Sequence, residues 1–285
     1  MSLLALALVL ASAALHATWN LLAKRAAGGV GFLWLFSLGT VLLYAPIALA
    51  YVVLARPSFT VTHLLLAFGS ALLHIGYFGF LQRGYRAGDL SLVYPVARGS
   101  GPVLATAMAI VLLGERPGPQ ALLGTGLVVL SVFVLTSGPL RLDADRRAAL
   151  GYGLLTGLFI AGYTVWDGSA VGQAGAPPLL YLVVAEAFRT LLLTPLALRQ
   201  RAVLRSTWRD NRLEVLGVAI LAPGAYLLVL TALQFAPISL VAPMREIGIL
   251  FATIIGTRAL AEGEGRKRTV AAVAMVVGVA LLALA

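Results

Sequence analysis

One short motif occurs twice in this chain of 285 residues, once in each half. The pentapeptide SLVYP at 91–95 returns as SLVAP at 239–243. The same shift, within one residue, aligns a Trp-Asn pair at 19–20 with a Trp-Asp pair at 166–167. Because the chain has only four tryptophans, chance is a poor explanation for aligning two of them. The sequence therefore predicts one folding unit present twice, with repeats at 1–138 and 149–285 and a linker at 139–148.

Composition places this duplicated chain in a lipid bilayer. It is 60% hydrophobic and 11% charged, with a mean hydropathy of +0.96, and a water-soluble globule of this size cannot bury so much apolar surface. The absence of cysteine excludes disulfides, thiolate metal ligands and a cysteine nucleophile. We expect no metal and no cofactor. The apolar start at 1–15 lacks a basic leading segment, so it reads as a retained helix and not as a cleaved signal peptide.

Apolar stretches long enough to span a bilayer, about 20 residues each, are separated by Pro, Gly and charged clusters. They predict ten helices, five in each repeat. These lie at 2–23, 31–54, 63–85, 91–113, 119–137, 149–169, 178–198, 213–235, 239–261 and 268–285.

Basic residues predict the orientation of these helices. Most of the 21 Lys and Arg fall in loops on one face, which the positive-inside rule makes cytoplasmic. The linker at 139–148 is then cytoplasmic, and both termini lie on the outer, periplasmic side of a bacterial inner membrane. This bias accounts for the net charge of +10 without a nucleic-acid partner. The basic stretch 199–212 is a candidate for contact with anionic lipid headgroups.

An odd number of helices in each repeat makes the second repeat upside down relative to the first. Inverted repeats are typical of secondary transporters. In these proteins the two repeats exchange conformations around a site at the repeat interface. We therefore predict an all-α polytopic membrane protein, with two inverted five-helix repeats around a central cavity. The sequence does not decide between a monomer and a dimer.

Two arginines at equivalent positions lie inside predicted spans. Arg98 is in the fourth span and Arg245 in the ninth, where a charge costs at least about 2.5 kcal/mol. Such residues usually face a cavity, and we expect the pair to bind a substrate. The alternative is that both side chains reach back to the headgroups.

Pro and Gly near these arginines predict broken helices. Broken backbone at membrane depth is tolerated where it lines protein or water, and transporters bind substrates there. The alternative is a kink that serves only packing. The residues concerned are Pro95, Gly99, Gly101, Pro102, Pro243 and Gly248.

Polar and aromatic residues on one helix face are further candidates for the substrate site. His16 and Asn20 share a face of the first span, as Tyr163 and Asp167 do in the sixth. The adjacent tryptophans leave open that these are interfacial belts. We also expect His74 and Tyr77 in the third span, Tyr94 in the first motif and Tyr226 in the eighth span to line the cavity, although His74 could be a helix-to-helix hydrogen bond.

Carboxylates inside the spans are candidates for proton coupling. Glu186 and Arg189 are three residues apart and can neutralise each other. Glu246 points away from Arg245 and needs Arg98, Arg189 or a proton as its partner. Glu246, Glu186 and Asp167 are the three coupling candidates.

Small and acidic residues at helix ends have structural interpretations. Gly151, Gly153 and Gly157 predict close helix packing or dimerisation. Glu115 and its counterpart Glu262 are expected to cap loops at the membrane surface.

The chain resembles the drug/metabolite transporter superfamily, in its ten-helix EamA-type branch, over essentially its whole length. The resemblance rests on the duplicated halves, the SLVxP motifs at 91–95 and 239–243, and LLGER at 112–116. The opening LHATWNLLAK at 15–24 also resembles a subset associated with phosphonate use. The resemblance implies a basket of helices around a cavity and export of a small metabolite, often an amino acid. Relatives that bind anions through Lys or Arg make Arg98 and Arg245 the anion-binding candidates.

These observations predict a secondary transporter for a small anionic or zwitterionic metabolite, working by alternating access. A lipid translocator is the nearest alternative and requires an apolar groove open to lipid. An intramembrane enzyme lacks support, since the chain has no His-Glu-x-x-His, Gly-x-Ser-x-Gly or Walker motif.

Overall fold

A computed structural model describes residues 1–26, 29–87, 90–136, 144–251 and 265–285 of the chain. Throughout these ranges the regular structure is α-helical, as predicted. The helices are α1 Leu3–Arg25, α2 Val30–Ala55, α3 Val61–Ala87, α4 Leu90–Leu113, α5 Pro119–Thr136, α6 Ala144–Gly172, α7 Pro178–Arg199, α8 Arg201–Ala232, α9 Ile238–Met244 and α10 Gly265–Leu284. After α9 the chain turns at 245–246 and is helical again at 247–251.

The length and hydropathy of these helices fit a bilayer. Seven of the described helices are long and apolar enough to cross a membrane, and α5 and α10 contribute shorter apolar stretches. Large apolar side chains also cover the outside of the bundle; in α2, Leu49 is 66% exposed and Leu54 is 84% exposed. An apolar exterior of this kind is stable against lipid tails and not against water.

Two helices begin five or more residues before their predicted starts. α8 begins at Arg201 instead of 213, and its backbone leaves helical geometry at Asn211. The basic residues that suggested a loop occupy the exposed side of this additional helical segment, while Leu204 is buried. α6 begins at Ala144, within the predicted linker.

The packing partners of the helices follow an approximate twofold pattern. α1 packs on α8 as α3 packs on α6, and α2 packs on α8 as α3 packs on α7. α2 with α7, α4 with α9 and α5 with α10 each pair with their own equivalent in the other repeat. Exchanging the two repeats leaves this set of pairs unchanged, which is the arrangement expected of two inverted five-helix units. The amino group of Met1 donates to the carbonyl of Ala283 over 3.2 Å, so the two termini lie together.

Glycines allow the closest crossings between the repeats. A Cβ atom at Gly124 of α5 would lie 2.7 Å from the carbonyl oxygen of Gly278 in α10. In α6, a Cβ at Gly153 would lie 3.0 Å from Val96, and one at Gly157 would lie 3.2 Å from the carbonyl oxygen of Ala97. The glycine face of α6 therefore packs on α4 within the same chain.

The two predicted helix interruptions differ in outcome. α4 is helical from Leu90 to Leu113, through Pro95 and Pro102, so the expected break in the fourth span is wrong. Instead, Phe133 packs against Gly99 and Ile160 packs against Gly101. A Cβ atom at Gly99 would lie 2.5 Å from Phe133, and one at Gly101 would lie 2.8 Å from Ile160. These residues serve close packing, which was the alternative interpretation.

The ninth span is interrupted beside the predicted residues. α9 ends at Met244, one residue after Pro243, and the helix resumes at 247. Gly248 lies in the resumed segment, where a Cβ would be 3.1 Å from the carbonyl oxygen of Ala13 in α1. The missing side chain lets the resumed segment lie against α1. Arg245 occupies the turn between the two pieces.

Glu115 joins the two halves at one end of the bundle. Its carboxylate accepts hydrogen bonds from the backbone N–H groups of Ile238, over 2.8 Å, and Ser239, over 2.9 Å. These are the first two residues of α9, whose N–H groups have no partner within the helix. Gly114, at φ 69°, turns the chain just before this glutamate. Glu262, its counterpart in the other repeat, lies outside the described residues.

Candidate functional site

Arg98 and Glu246 form an ion pair between the two repeats. Arg98 Nη2 lies 3.0 Å from Glu246 Oε2, and the two side chains are 10% and 5% exposed. Arg98 therefore points into the bundle and not back to the headgroups, and it is one of the three partners proposed for Glu246. Arg98 Nε has no hydrogen-bond partner among the described residues, and Oε2 meets the guanidinium without good hydrogen-bond alignment. The pair is thus charge-compensated but leaves donor capacity unused.

Arg245 differs from its repeat counterpart Arg98 in having no acidic partner within the described ranges. Its guanidinium carbon lies 5.7 Å from the ring centroid of Tyr226, a cation–π contact. The residue is partly exposed. A guanidinium with free donors at an internal helix break can bind a carboxylate or phosphonate in two-point contact.

An aromatic cluster adjoins Arg245. His74 of α3 stacks on Tyr163 of α6, with ring centroids 4.2 Å apart and planes at 23°. Tyr226 of α8 meets His74 edge-on at 5.6 Å, and Tyr77 meets Tyr163 in the same way at 5.8 Å. The structure thus brings together four of the predicted residues, from three helices of both repeats. Such rings form a rigid wall with polar tips.

Asp167 lies in the interior, although its place near the end of the predicted span suggested an interfacial belt. It is 0% exposed. Tyr181 Oη donates to Asp167 Oδ1 over 2.6 Å, and the hydroxyl of Tyr226 donates to Oδ2. The neighbouring Trp166 is the one at the surface, 40% exposed, with its indole N–H donating to the carbonyl of Leu66 over 2.8 Å.

Tyr181 is a residue that sequence reasoning missed. It is 1% exposed and comes from the start of α7. The signal that could have found it is the need of a buried carboxylate for hydrogen-bond donors when no Lys or Arg lies one helical turn away.

Glu186 and Arg189 of α7 pair with each other, as the sequence predicts. Arg189 Nε also donates to Ser37 Oγ over 3.0 Å, and its guanidinium lies over the ring of Phe36. The negative charge of Glu186 is therefore balanced by Arg189, as that of Glu246 is by Arg98.

A small cavity lies between α3, α7 and α8. It has a volume of about 20 Å³, which is enough for about one water molecule. Its polar lining consists of Ser70, His74, Tyr181, Glu186, Arg189 and Tyr226.

The remaining candidates have different surroundings. His16 meets Trp19 edge-on at 4.8 Å and lies beside Gly248. Asn20 Nδ2 donates to the carbonyl of His16 over 2.7 Å, so its amide bonds within its own helix. Tyr94 is partly exposed.

In His74, Nδ1 lies 2.9 Å from the carbonyl oxygen of Ser70, which can only accept. That nitrogen therefore carries the hydrogen, and Nε2 of the neutral ring is an acceptor.

Comparison with known proteins agrees with this architecture. The model of the EamA-like transporter family matches residues 3–137 and again 147–284. A search of curated proteins finds no match. Among solved structures 29 chains match, and one, described only as "Crystal structure of protein", has a TM-score of 0.77 and 18% identity over 98% of this chain and 96% of its own. At that identity the likeness shows the fold alone.

The family match covers both halves of the chain, so the predicted two-repeat architecture is confirmed. Apolar helices and an apolar exterior make the molecule a multi-pass membrane protein. The family consists of transporters and not of enzymes. The chain belongs to the EamA-like transporter family, in the drug/metabolite transporter superfamily.

Proposed function

We propose that this protein is a secondary transporter that moves a small anionic or zwitterionic metabolite by alternating access. The observation that carries the proposal is Arg245, a cation at a helix break with no acidic partner in the described part of the chain. Placing a charge within the bundle costs energy, and an anionic ligand would offset that cost.

Arg98 has a second role in this proposal. Its carboxylate partner Glu246 is adjacent in sequence to Arg245. A ligand anion bound at Arg245 would compete with Glu246 for Arg98, whose Nε is unpartnered among the described residues. The aromatic cluster of His74, Tyr77, Tyr163 and Tyr226 would bound the ligand on the other side.

The location and direction of transport belong to the same proposal. The membrane is a bacterial inner membrane, the termini are periplasmic, and the direction is export of an amino acid or phosphonate. The positive-inside bias and the family membership support these points. Proton coupling through one of the three intramembrane carboxylates is part of the proposal.

Ligand-induced stabilisation tests the proposal first. Purified protein is heated with amino acids, phosphonates, sugar phosphates, cationic dyes and phospholipids, since a ligand that binds the folded state raises its unfolding temperature. We expect anions or zwitterions to stabilise the protein. Stabilisation by cationic dyes alone would refute the anion site, and stabilisation that follows acyl-chain length would favour a lipid translocator.

Exchange of a stabilising anion in proteoliposomes tests movement. Arg245→Gln should abolish both stabilisation and exchange. Arg86→Gln, at an exposed residue at the end of α3, is the matched control and should keep both. Equal exchange by the two variants would remove Arg245 from the site.

A further inference from the structure

Three carboxylates lie inside the described bundle, and they differ in their partners. Glu246 is paired with Arg98, and Glu186 with Arg189. Asp167 is fully buried and is bonded to the hydroxyl groups of Tyr181 and Tyr226. An ionised carboxylate without a counter-cation is costly at this depth. Asp167 is therefore the carboxyl group that gains most from taking up a proton.

We propose that Asp167 is the site where this carrier takes up and releases a proton, and that its protonation favours an anion at Arg245. The second half rests on the proposed transport of an anion. The first half stands on the geometry around Asp167 alone.

The Tyr181 hydroxyl offers a hydrogen-bond partner to both protonation states of Asp167. It lies 2.6 Å from Asp167 Oδ1 and 3.3 Å from the carbonyl oxygen of Leu66, and its single hydrogen serves one acceptor well at a time. With Asp167 ionised, Tyr181 donates to the carboxylate. With Asp167 protonated, the new O–H donates to Tyr181 Oη, and the tyrosine hydrogen turns to Leu66. That carbonyl also accepts from Trp166 and, within α3, from the backbone N–H of Ser70, so the Tyr181 hydrogen shares an acceptor that already has two donors.

The same tyrosines connect Asp167 to the cavity. Asp167 itself has no exposed surface, whereas Tyr181 and Tyr226 both line the cavity beside His74 and Ser70. A proton that arrives from the cavity at a tyrosine oxygen is balanced by transfer of that hydroxyl's own proton to Asp167. The tyrosine is unchanged, and the carboxylate becomes a carboxylic acid. Release follows the reverse path.

Charge balance links this proton to the anion. Among the residues that the structure describes, Arg98, Arg189 and Arg245 supply three positive charges to the interior. Glu186, Glu246 and ionised Asp167 supply three negative charges, so the set is neutral. Protonation of Asp167 leaves one positive charge in excess. Because Arg98 and Arg189 each keep a carboxylate partner, the excess resides at Arg245, next to Tyr226, and favours an anion there.

The groups that face Asp167 from the surrounding helices are Ser70 and His74 of α3, Tyr181 of α7 and Tyr226 of α8, with Tyr163 on α6 itself. The ion pair of Glu186 and Arg189 lines the same cavity as Tyr181 and Tyr226 and adds two opposite charges there. Arg245, in the turn after α9, lies over the ring of Tyr226 and has no acidic partner in the described ranges.

Infrared spectroscopy of the purified protein in nanodiscs tests the proton site without a substrate. As pH falls, the wild type minus Asp167→Asn difference should develop the carbonyl stretch of a protonated carboxyl. Tyr181→Phe should move the midpoint of that band to higher pH, because it removes a donor to the ionised form. Asp210→Asn, at an exposed carboxylate, is the reference for an ordinary acid. A band that survives in Asp167→Asn, or that does not change over the pH range where the protein is folded, would overturn the proposal.

The linkage is tested in the same experiment with Arg245→Gln. Loss of this cation should shift the midpoint of the Asp167 band to higher pH, whereas Arg86→Gln should leave it in place. An unmoved midpoint in Arg245→Gln would overturn the linkage. Neither measurement needs a transported ligand, so failure to find an anionic substrate would refute the proposed function while these spectra still decide the proton site.

Discussion

The two repeats use equivalent positions for different chemistry. In the first repeat, Arg98 is held by Glu246 and Asn20 bonds back to its own helix. In the second, Arg245 has no acidic partner among the described residues, and Asp167 is bonded by tyrosines of two other helices. The two repeats thus share a scaffold, while the first copy has its arginine in an ion pair and the second has charged groups without direct ion-pair partners among the described residues. We expect binding and proton transfer to depend mainly on the second copy.

The largest predicted change in the free energy of unfolding concerns the two equivalent arginines, which have different roles. Arg98→Leu leaves Glu246 buried without its cation and should destabilise the protein by about 3–5 kcal/mol. Arg245→Leu removes no ion pair formed among the described residues and should cost less than about 1 kcal/mol, while abolishing anion binding. Thermal unfolding in detergent, with and without the anion, measures both. The double variant Arg98→Leu/Glu246→Leu should recover much of the loss, and equal destabilisation by the two single variants would contradict the assignment.

The next effect compares Asp167 with Asn20. Asp167→Leu removes the acceptor of two tyrosine hydroxyls, of which Tyr181 can turn to Leu66, so about 2–3 kcal/mol should be lost. Asn20→Leu removes one amide that bonds a carbonyl of its own helix, and should change stability by about 0.5 kcal/mol or less. The two unfolding midpoints give the result. Similar losses in both variants would mean that the copies are equivalent after all.

A smaller difference in stability is expected between alanine substitutions at two glycines of α6. Gly157→Ala places a methyl group against the backbone of α4 and should cost about 1–2 kcal/mol. Gly151→Ala, with open space around it, should stabilise the helix by about 0.5–1 kcal/mol. The corresponding stretch of α1 has Ala5 and Val9, both 0% exposed. A stabilising Gly157→Ala would show that α6 does not need its glycine for this crossing.

The smallest effect concerns Glu115. Glu115→Ala removes two hydrogen bonds to the start of α9 and should cost about 1 kcal/mol. Glu214→Ala, at a carboxylate in α8 that caps no helix, is the control and should be neutral. Hydrogen exchange at 238–239 should become faster in Glu115→Ala alone. Unchanged exchange there would mean that other contacts fix the N-terminus of α9.

The sequence was sufficient for the number and approximate places of the spans, because apolar length is a direct signal. It was insufficient for the start of α8, since Arg and Asp on an exposed helix face look like a loop in composition. It also predicted a break at Pro95 and Pro102 that α4 does not show, and the side chains that pack against Gly99 and Gly101 come from α5 and α6, which no local pattern indicates. The burial of Asp167 depends on Tyr181 and Tyr226, 14 and 59 residues away in the chain, and no local pattern could show that.

Glu115 lies in the loop after α4, yet it caps α9, which follows it in the chain by more than a hundred residues. Glu115 is therefore already part of the chain when α9 is made, and its carboxylate has no helix to cap until then. The cap forms only once both halves of the chain are present. Separately expressed halves should then mature only when both are present in the same cell.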